Sequence, residues 1–190
     1  SRALDFLYFG YDGVPASGDE AKIVSHSYRQ PGSGTSVMNE WLLRYDNSNT
    51  NRGEHITHFA ASANNGPHYS KTTLLAPTSV PAAISVGAFT SLQEEHDDTW
   101  GHPAQFSNRG VGPANQPIPH VTAVGFLHGG APALNAGGNW NGMTYSMWGG
   151  TSLASPIAAG IGALAMQAYI EERGAQPTNE ELRDLLMSTA

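Results

Sequence analysis

The feature that most constrains this chain is a glycine-rich turn that runs straight into its longest apolar segment. Residues 149–156 read GGTSLASP, and the residues that follow them are mostly apolar. Gly160, Gly162 and Gln167 interrupt this segment, which leaves it short of a membrane span. We expect a helix from about Thr151 to Glu172 that other elements cover all round, since apolar residues lie on nearly every side of it.

Strand patterns alternate with helix patterns before this turn. Short apolar runs predict buried strands at residues 21–27, 55–61 and 83–88. Apolar residues at helical spacing follow the first strand, at residues 36–45. Strands that alternate with helices favour an α/β fold, a parallel β-sheet flanked by helices.

A second helix is predicted at the C-terminal end of the sequence. It starts at Thr178, and Glu181 three residues later gives the spacing of a capping box. With 190 residues, of which 39% are hydrophobic, the chain is long enough to form one domain over residues 1–190.

Charge and composition argue against several classes of function. A net charge of −7 without any run of basic residues argues against a nucleic-acid partner. The absence of cysteine excludes disulfides, cysteine-bound metals and thiol catalysis. None of the eight histidines has the spacing of a metal-binding motif, and His55 and His58 on one strand are expected to point to opposite faces. We therefore predict no metal ligands.

Ser152 is the candidate nucleophile. A serine at the start of a helix lies beside unpaired backbone N–H groups and the positive end of the helix dipole. Negative charge that develops on a bound carbonyl oxygen would be stabilised there. The alternative is that Thr151 or Ser152 merely caps the helix, as serine and threonine commonly do.

Residues 59–66 read FAASANNG, a strand pattern that ends at Asn64. They resemble the strand of the subtilisin family of serine peptidases that ends in an oxyanion-hole asparagine, and this resemblance implies that Asn64 helps Ser152 to stabilise the charge on the carbonyl oxygen. A side-chain amide donates hydrogen bonds while staying neutral, which suits an oxygen that becomes negative during the reaction. The alternative is that Asn64-Asn65-Gly66 forms only a turn.

These segments resemble the subtilisin family of serine peptidases. Residues 149–156 resemble the family's nucleophile signature, and residues 59–66 resemble the strand that ends in its oxyanion-hole asparagine. Three further segments follow in the family's order, at residues 76–88, 104–110 and 119–125. The resemblance covers roughly residues 20 to 190 and implies a partial subtilisin-like fold. The chain departs from the family's pattern at Arg29, Ala63, His120 and Val124.

The resemblance also implies a groove for a peptide substrate. Residues 23–29 fit the strand whose edge pairs with an extended substrate through main-chain hydrogen bonds. The residues implied to contact the substrate are Ser25, Ser27, Tyr28, Arg29, Ala61, Ser62, Ala63 and Thr151. For the side chains of Ser25 and Ser27, an ordinary core strand is an equally good interpretation.

Two of the three groups that the family needs for catalysis have no match here. Asp12-Gly13 has the wrong neighbours for the family's aspartate turn, and His128-Gly129-Gly130 lies downstream of where its histidine belongs. We therefore expect the chain to be the C-terminal portion of a peptidase domain. An upstream segment or a second chain would supply the aspartate and histidine, and the chain alone would be inactive or nearly so.

Two functions from different classes follow. One is a fragment of a serine endopeptidase that cleaves peptide bonds through an acyl-enzyme on Ser152. The other is a non-catalytic peptide-binding or structural module that keeps the fold. The resemblance implies no organic cofactor, allows a structural calcium ion, and favours a secreted protein.

Overall fold

The computed structural model describes residues 2–14, 17–28, 56–66, 77–90, 101–111, 117–126, 138–140, 143–145 and 149–190. Three sequence interpretations lie outside these ranges: the helix at residues 36–45, the face occupied by His55, and the contact of Arg29 with substrate.

The described residues form three helices and eight strands. The helices are α1 Arg2–Phe9, α2 Thr151–Arg173 and α3 Asn179–Thr189. The strands are β1 Ile23–His26, β2 Thr57–Ala61, β3 Ala83–Thr90, β4 Gly110–Val111, β5 Pro117–Ile118, β6 Val121–Phe126, β7 Gly138–Trp140 and β8 Met143–Tyr145.

The main sheet has four strands in the order β1-β2-β3-β6, and every neighbouring pair is parallel. Its register places Ile23 beside Thr57, His58 beside Ala83, and Val86 beside Val121. Two small antiparallel pairs, β4 with β5 and β7 with β8, lie outside it. The parallel α/β fold predicted from the sequence is confirmed. Because all four strands run in the same direction, their carboxyl ends share one edge of the sheet.

Helix α2 packs on one face of this sheet and contacts all four of its strands. Residues four apart on the helix, Ala154, Ala158, Gly162 and Met166, are buried. The small residues Ala154, Ala158 and Gly162 let the helix approach the strands closely, and a Cβ atom added to Gly162 would lie 2.4 Å from Phe59 Cζ. The close fit fixes the start of α2 relative to β2.

The opposite side of α2 is exposed, so the expectation of a helix covered all round is wrong. Ile161 is 53% exposed and Leu164 is 69% exposed. By length and composition alone α2 could cross a membrane, contrary to the expectation that it falls short. It contacts all four strands of the main sheet, as a core helix does. A helix that packs on a single sheet buries only one of its sides.

Helix α3 has the predicted capping box. Thr178 Oγ1 accepts a hydrogen bond from Glu181 N at 3.2 Å, and Thr178 N donates to Glu181 Oε2 at 2.8 Å. Leu182, one turn into the helix, is fully buried. Residues 4–9 lie in α1.

Candidate active site

The carboxyl ends of β1 and β2 and the first turn of α2 surround an open pocket of about 290 Å³. This arrangement follows from the parallel sheet, which brings the residues after each strand to the same edge. The lining residues are Ser27, Tyr28, Ala61, Ala63, Asn64, Asn65, Thr151 and Ser152. The candidate nucleophile and the candidate oxyanion-hole asparagine therefore share one pocket.

Ser152 lies in the first turn of α2, directly after Thr151. Its hydroxyl donates to the Ser27 carbonyl oxygen at 3.3 Å, and the Ser27 hydroxyl donates to the Ser152 carbonyl oxygen at 2.8 Å. Gly150 is the N-cap, so neither Thr151 nor Ser152 holds that position. The interpretation of Thr151 or Ser152 as a simple cap is therefore wrong. No described residue accepts a hydrogen bond from the Ser152 backbone N–H, which is oriented by the helix start.

Asn64 is oriented by Thr151. Asn64 Oδ1 accepts hydrogen bonds from the Thr151 N–H and the Thr151 hydroxyl, each at 2.9 Å. The backbone N–H is a donor only, so the atom that it meets must be the amide oxygen, and the Asn64 NH₂ group is left for other partners. Gly150 makes room for that group, since a Cβ atom there would lie 2.9 Å from Nδ2.

The backbone that leads into Asn64 is constrained at Ala63. Its φ of +80° lies in the left-handed region that favours glycine, and the family often has glycine at this position. Two hydrogen bonds hold the residue, from Ala63 N to Thr151 Oγ1 at 3.1 Å and from Asn108 N to Ala63 O at 3.0 Å. This backbone conformation brings the Asn64 side chain back towards the start of α2.

Five of the residues implied to contact substrate line the pocket, namely Ser27, Tyr28, Ala61, Ala63 and Thr151. Ser25 instead shares a hydrogen bond of 3.1 Å with Ser155 on α2. The Ser62 side chain is fully buried, and its hydroxyl has no hydrogen-bond partner among the described residues. The structure thus brings neither Ser25 nor Ser62 to the pocket lining.

Asn65 is a pocket residue that the sequence analysis did not select. Its backbone N–H donates to Asn108 Oδ1 at 2.8 Å, which fixes the turn after Asn64. The signal was present as the Asn-Gly pair, but this pair is so common in turns that it points to no role in a site.

Four histidines fall within the described ranges, and none of these hydrogen-bonds Ser152. His26 and His58 instead bond to each other, and His120 bonds to Ser85. Burial lowers the pKa of His26 to about 4 and that of His120 to about 4. The described residues therefore place the Ser152 hydroxyl, the Asn64 amide and the Ser152 backbone N–H at one pocket. Among these residues, no general base contacts Ser152.

No cluster of three or more His, Cys, Asp or Glu side chains that could hold a metal ion occurs within the described ranges.

Comparison with known proteins gives a family match over almost the whole chain. The model of the subtilase family, Peptidase_S8, matches residues 8–190. A search of curated proteins finds no match.

Solved structures provide several neighbours. The prenylagaramide maturation protease PagA is 27% identical, with a TM-score of 0.57, and the match covers 90% of this chain and 52% of that one. The patellamide maturation protease PatA is 26% identical, with a TM-score of 0.56 and coverage of 90% and 53%. Sphericase is 22% identical, with a TM-score of 0.59, and the match covers 88% of this chain and 48% of that one. At this identity it supports the fold alone. The chain spans about half the length of these neighbours.

Proposed function

The chain belongs to the subtilase family, and on that premise we propose that it forms the serine-bearing part of an endopeptidase domain, over residues 1–190. The observation that carries this proposal is the shared pocket, in which Ser152 lies beside an Asn64 amide that Thr151 orients. A module that only bound peptides would have no need for this pairing. Peptides or proteins are the substrates expected from the family.

In the proposed reaction, Ser152 Oγ attacks the carbonyl carbon of a peptide bond and its proton passes to a histidine imidazole. The carbonyl oxygen becomes negative and accepts hydrogen bonds from Asn64 Nδ2 and the Ser152 N–H. The imidazole then protonates the leaving amine as the C–N bond breaks, which gives an acyl-enzyme. Water adds to the acyl carbon, and the acid product leaves with restoration of the serine.

The substrate would lie along the exposed end of β1. Ser27 and Tyr28 line the pocket on that side, while Ala61 and Ala63 line it on the side of β2. An extended peptide that pairs with the backbone here would present its carbonyl to Ser152. Arg29 would extend this contact by its position in the sequence.

A second polypeptide segment is proposed to supply the aspartate and the histidine. Three observations support it. Ser152 has no histidine partner among the described residues. The exposed side of α2 is apolar at Ile157, Ile161 and Leu164. The chain also corresponds to about half of each similar structure. An exposed apolar face on the helix that bears Ser152 is a surface that such a segment would cover.

The test is to assay the purified chain with peptide substrates and a fluorophosphonate probe, alone and after addition of a polypeptide that carries the family's aspartate and histidine segments. We expect labelling and cleavage only after addition, and none with Ser152→Ala. Loss of the general base costs about 10⁶-fold in turnover, a value known for subtilisin itself and not worked from this structure. Ser152-dependent cleavage by the chain alone would refute the need for a second segment.

If the complemented protein binds peptides but never labels or cleaves, the non-catalytic module is the better account. A structural calcium ion and a secreted location remain expectations of the family resemblance. Calcium dependence can be tested by comparing thermal unfolding with and without EGTA.

A further inference from the structure

A chain of three buried polar rings lies on the sheet face opposite α2. Tyr8 OH is 2.9 Å from His58 Nε2, and His58 Nδ1 is 2.9 Å from His26 Nε2. The planes of the two imidazoles are nearly parallel, at an angle of 22°, and their centroids are 5.1 Å apart. All three residues are at most 4% exposed. Alternation along the strands explains the placement, since Ser25 and Phe59 face α2 and their neighbours His26 and His58 face away.

The hydrogen bonds among these three rings can be satisfied with both imidazoles neutral. Tyr8 can donate to His58 Nε2, and the His58 Nδ1–H can then donate to His26 Nε2. In the reverse direction His26 donates to His58, which donates to the tyrosine oxygen. Each imidazole carries a single proton in either arrangement, so no buried charge is required. A second proton on the pair would place a cation in a buried site.

This row of three rings ends at His26, which contacts a residue that lines the proposed substrate pocket. The rings of His26 and Tyr28 meet edge to face, with centroids 5.5 Å apart. Tyr28 is half exposed and lines the pocket together with Ser27. Ser27, which follows His26, exchanges hydrogen bonds with Ser152. His26 therefore contacts one pocket residue, Tyr28, and directly precedes the other, Ser27, in the sequence.

We propose that Tyr8, His58 and His26 are positioning residues that hold Tyr28 and the end of β1 in the pocket, and that protonation of the histidine pair releases this hold. The effect on peptide substrates rests on the proposed function. The coupling of the histidines to Tyr28 does not depend on it.

The titratable groups that face the pair are few. Within the described residues they are the two histidines themselves, Tyr8 from α1 and Tyr28 beyond β1, whereas β3 presents Ala83 beside His58. Burial lowers the pKa of His26 to about 4, and burial together with the charge of His26 lowers the pKa of His58. Both rings are thus neutral at pH 7, and the release is expected as the pH falls towards 4.

The first experiment needs no catalysis. Histidine side-chain ¹⁵N and backbone amide NMR spectra of the protein are recorded from pH 7.5 to pH 4. We expect one protonated nitrogen on each of His26 and His58 at pH 7.5. We also expect the Ser27 and Tyr28 amide signals to shift with the same midpoint as His26. Glutamine retains a donor and an acceptor but does not titrate, so the double variant His26→Gln/His58→Gln should flatten the acid response of Tyr28.

His120→Gln is the matched control, because His120 is partly buried, also has a pKa lowered to about 4, and bonds to Ser85 on β3. Its Tyr28 titration should equal that of the wild type. Tyr28 signals that stay fixed while His26 titrates would overturn the proposal, and so would an acid shift that persists in the double variant.

A second variant keeps the test decisive if the double variant does not fold. Tyr8→Phe removes one hydroxyl and leaves His58 Nε2 without that partner. The loss of one hydrogen bond changes an equilibrium constant by about five-fold. In the complete peptidase at pH 7.5 we expect KM to rise about five-fold with kcat nearly unchanged. An unchanged KM, or a matching fall in kcat, would contradict a positioning role.

Discussion

Replacement of Gly162 by alanine tests the packing that fixes the site. A new Cβ atom would lie 2.4 Å from Phe59 Cζ and 2.9 Å from Cε2, where ordinary contacts are 3.4–4 Å. Phe59 is fully buried in one core cluster with Ile84 and Val86, so its ring can move aside only by displacing its neighbours. Overpacking of this kind typically costs about 1–3 kcal/mol.

The same substitution also brings a favourable contribution. Alanine is better than glycine in a helix interior by about 0.5–1 kcal/mol. Gly160 provides the matched control, because it lies on the same helix, is exposed, and has nothing within 4 Å of an added Cβ atom. Gly160→Ala should therefore stabilise the protein by about 0.5–1 kcal/mol. The difference between the two variants isolates the overpacking cost of about 1–3 kcal/mol.

The assay is thermal unfolding of both variants, followed by circular dichroism. For a protein of this size each kcal/mol shifts Tm by about 2–4 °C, so Gly162→Ala should unfold roughly 2–12 °C below Gly160→Ala. Phe59→Leu, which removes the ring atoms nearest the new methyl group, should recover part of the loss in a double variant. Equal Tm values for the two alanine variants would refute the close contact between α2 and β2.

Three other predictions concern the site and helix α3. Thr151→Val removes a donor to Asn64 Oδ1 and the acceptor of the Ala63 N–H, so kcat of the complete peptidase should fall about ten-fold or more, while Thr151→Ser should stay close to wild type. Asn64→Leu should lower kcat by about 10²–10³ with little change in KM, a magnitude known for subtilisin itself and not worked from this structure; unchanged turnover would remove Asn64 from the mechanism. Thr178→Ala should destabilise the protein by about 1 kcal/mol through loss of the capping box, which chemical denaturation would detect and which an unchanged midpoint would contradict.

The sequence predicted features that depend on residues close together in the chain. The helix after Ser152, the capping box at Thr178 and the strands around residues 23–26 and 83–90 each follow from a local pattern of side chains. The parallel sheet followed from the order of these patterns. The pairing of Ser152 with Asn64 came from the family resemblance, and the structure places both residues in the lining of one pocket.

Contacts between distant residues were decided only by the tertiary structure. Alternation shows that Ser25 and Ser27 share a face, yet Ser25 bonds to Ser155 while Ser27 bonds to Ser152 and lines the pocket. The exposed side of α2 was missed for a related reason. Apolar residues all round a helix reveal its composition, but not which neighbouring elements cover it.

The buried histidine pair shows the same limit most clearly. His26 and His58 are 32 residues apart, on neighbouring parallel strands, and Tyr8 reaches them from a helix 50 residues before His58. Strand alternation determines the face on which each ring lies. The register between β1 and β2 and the position of α1 determine that the rings meet, because a hydrogen bond needs its two atoms within about 3 Å and local patterns carry no information at that distance.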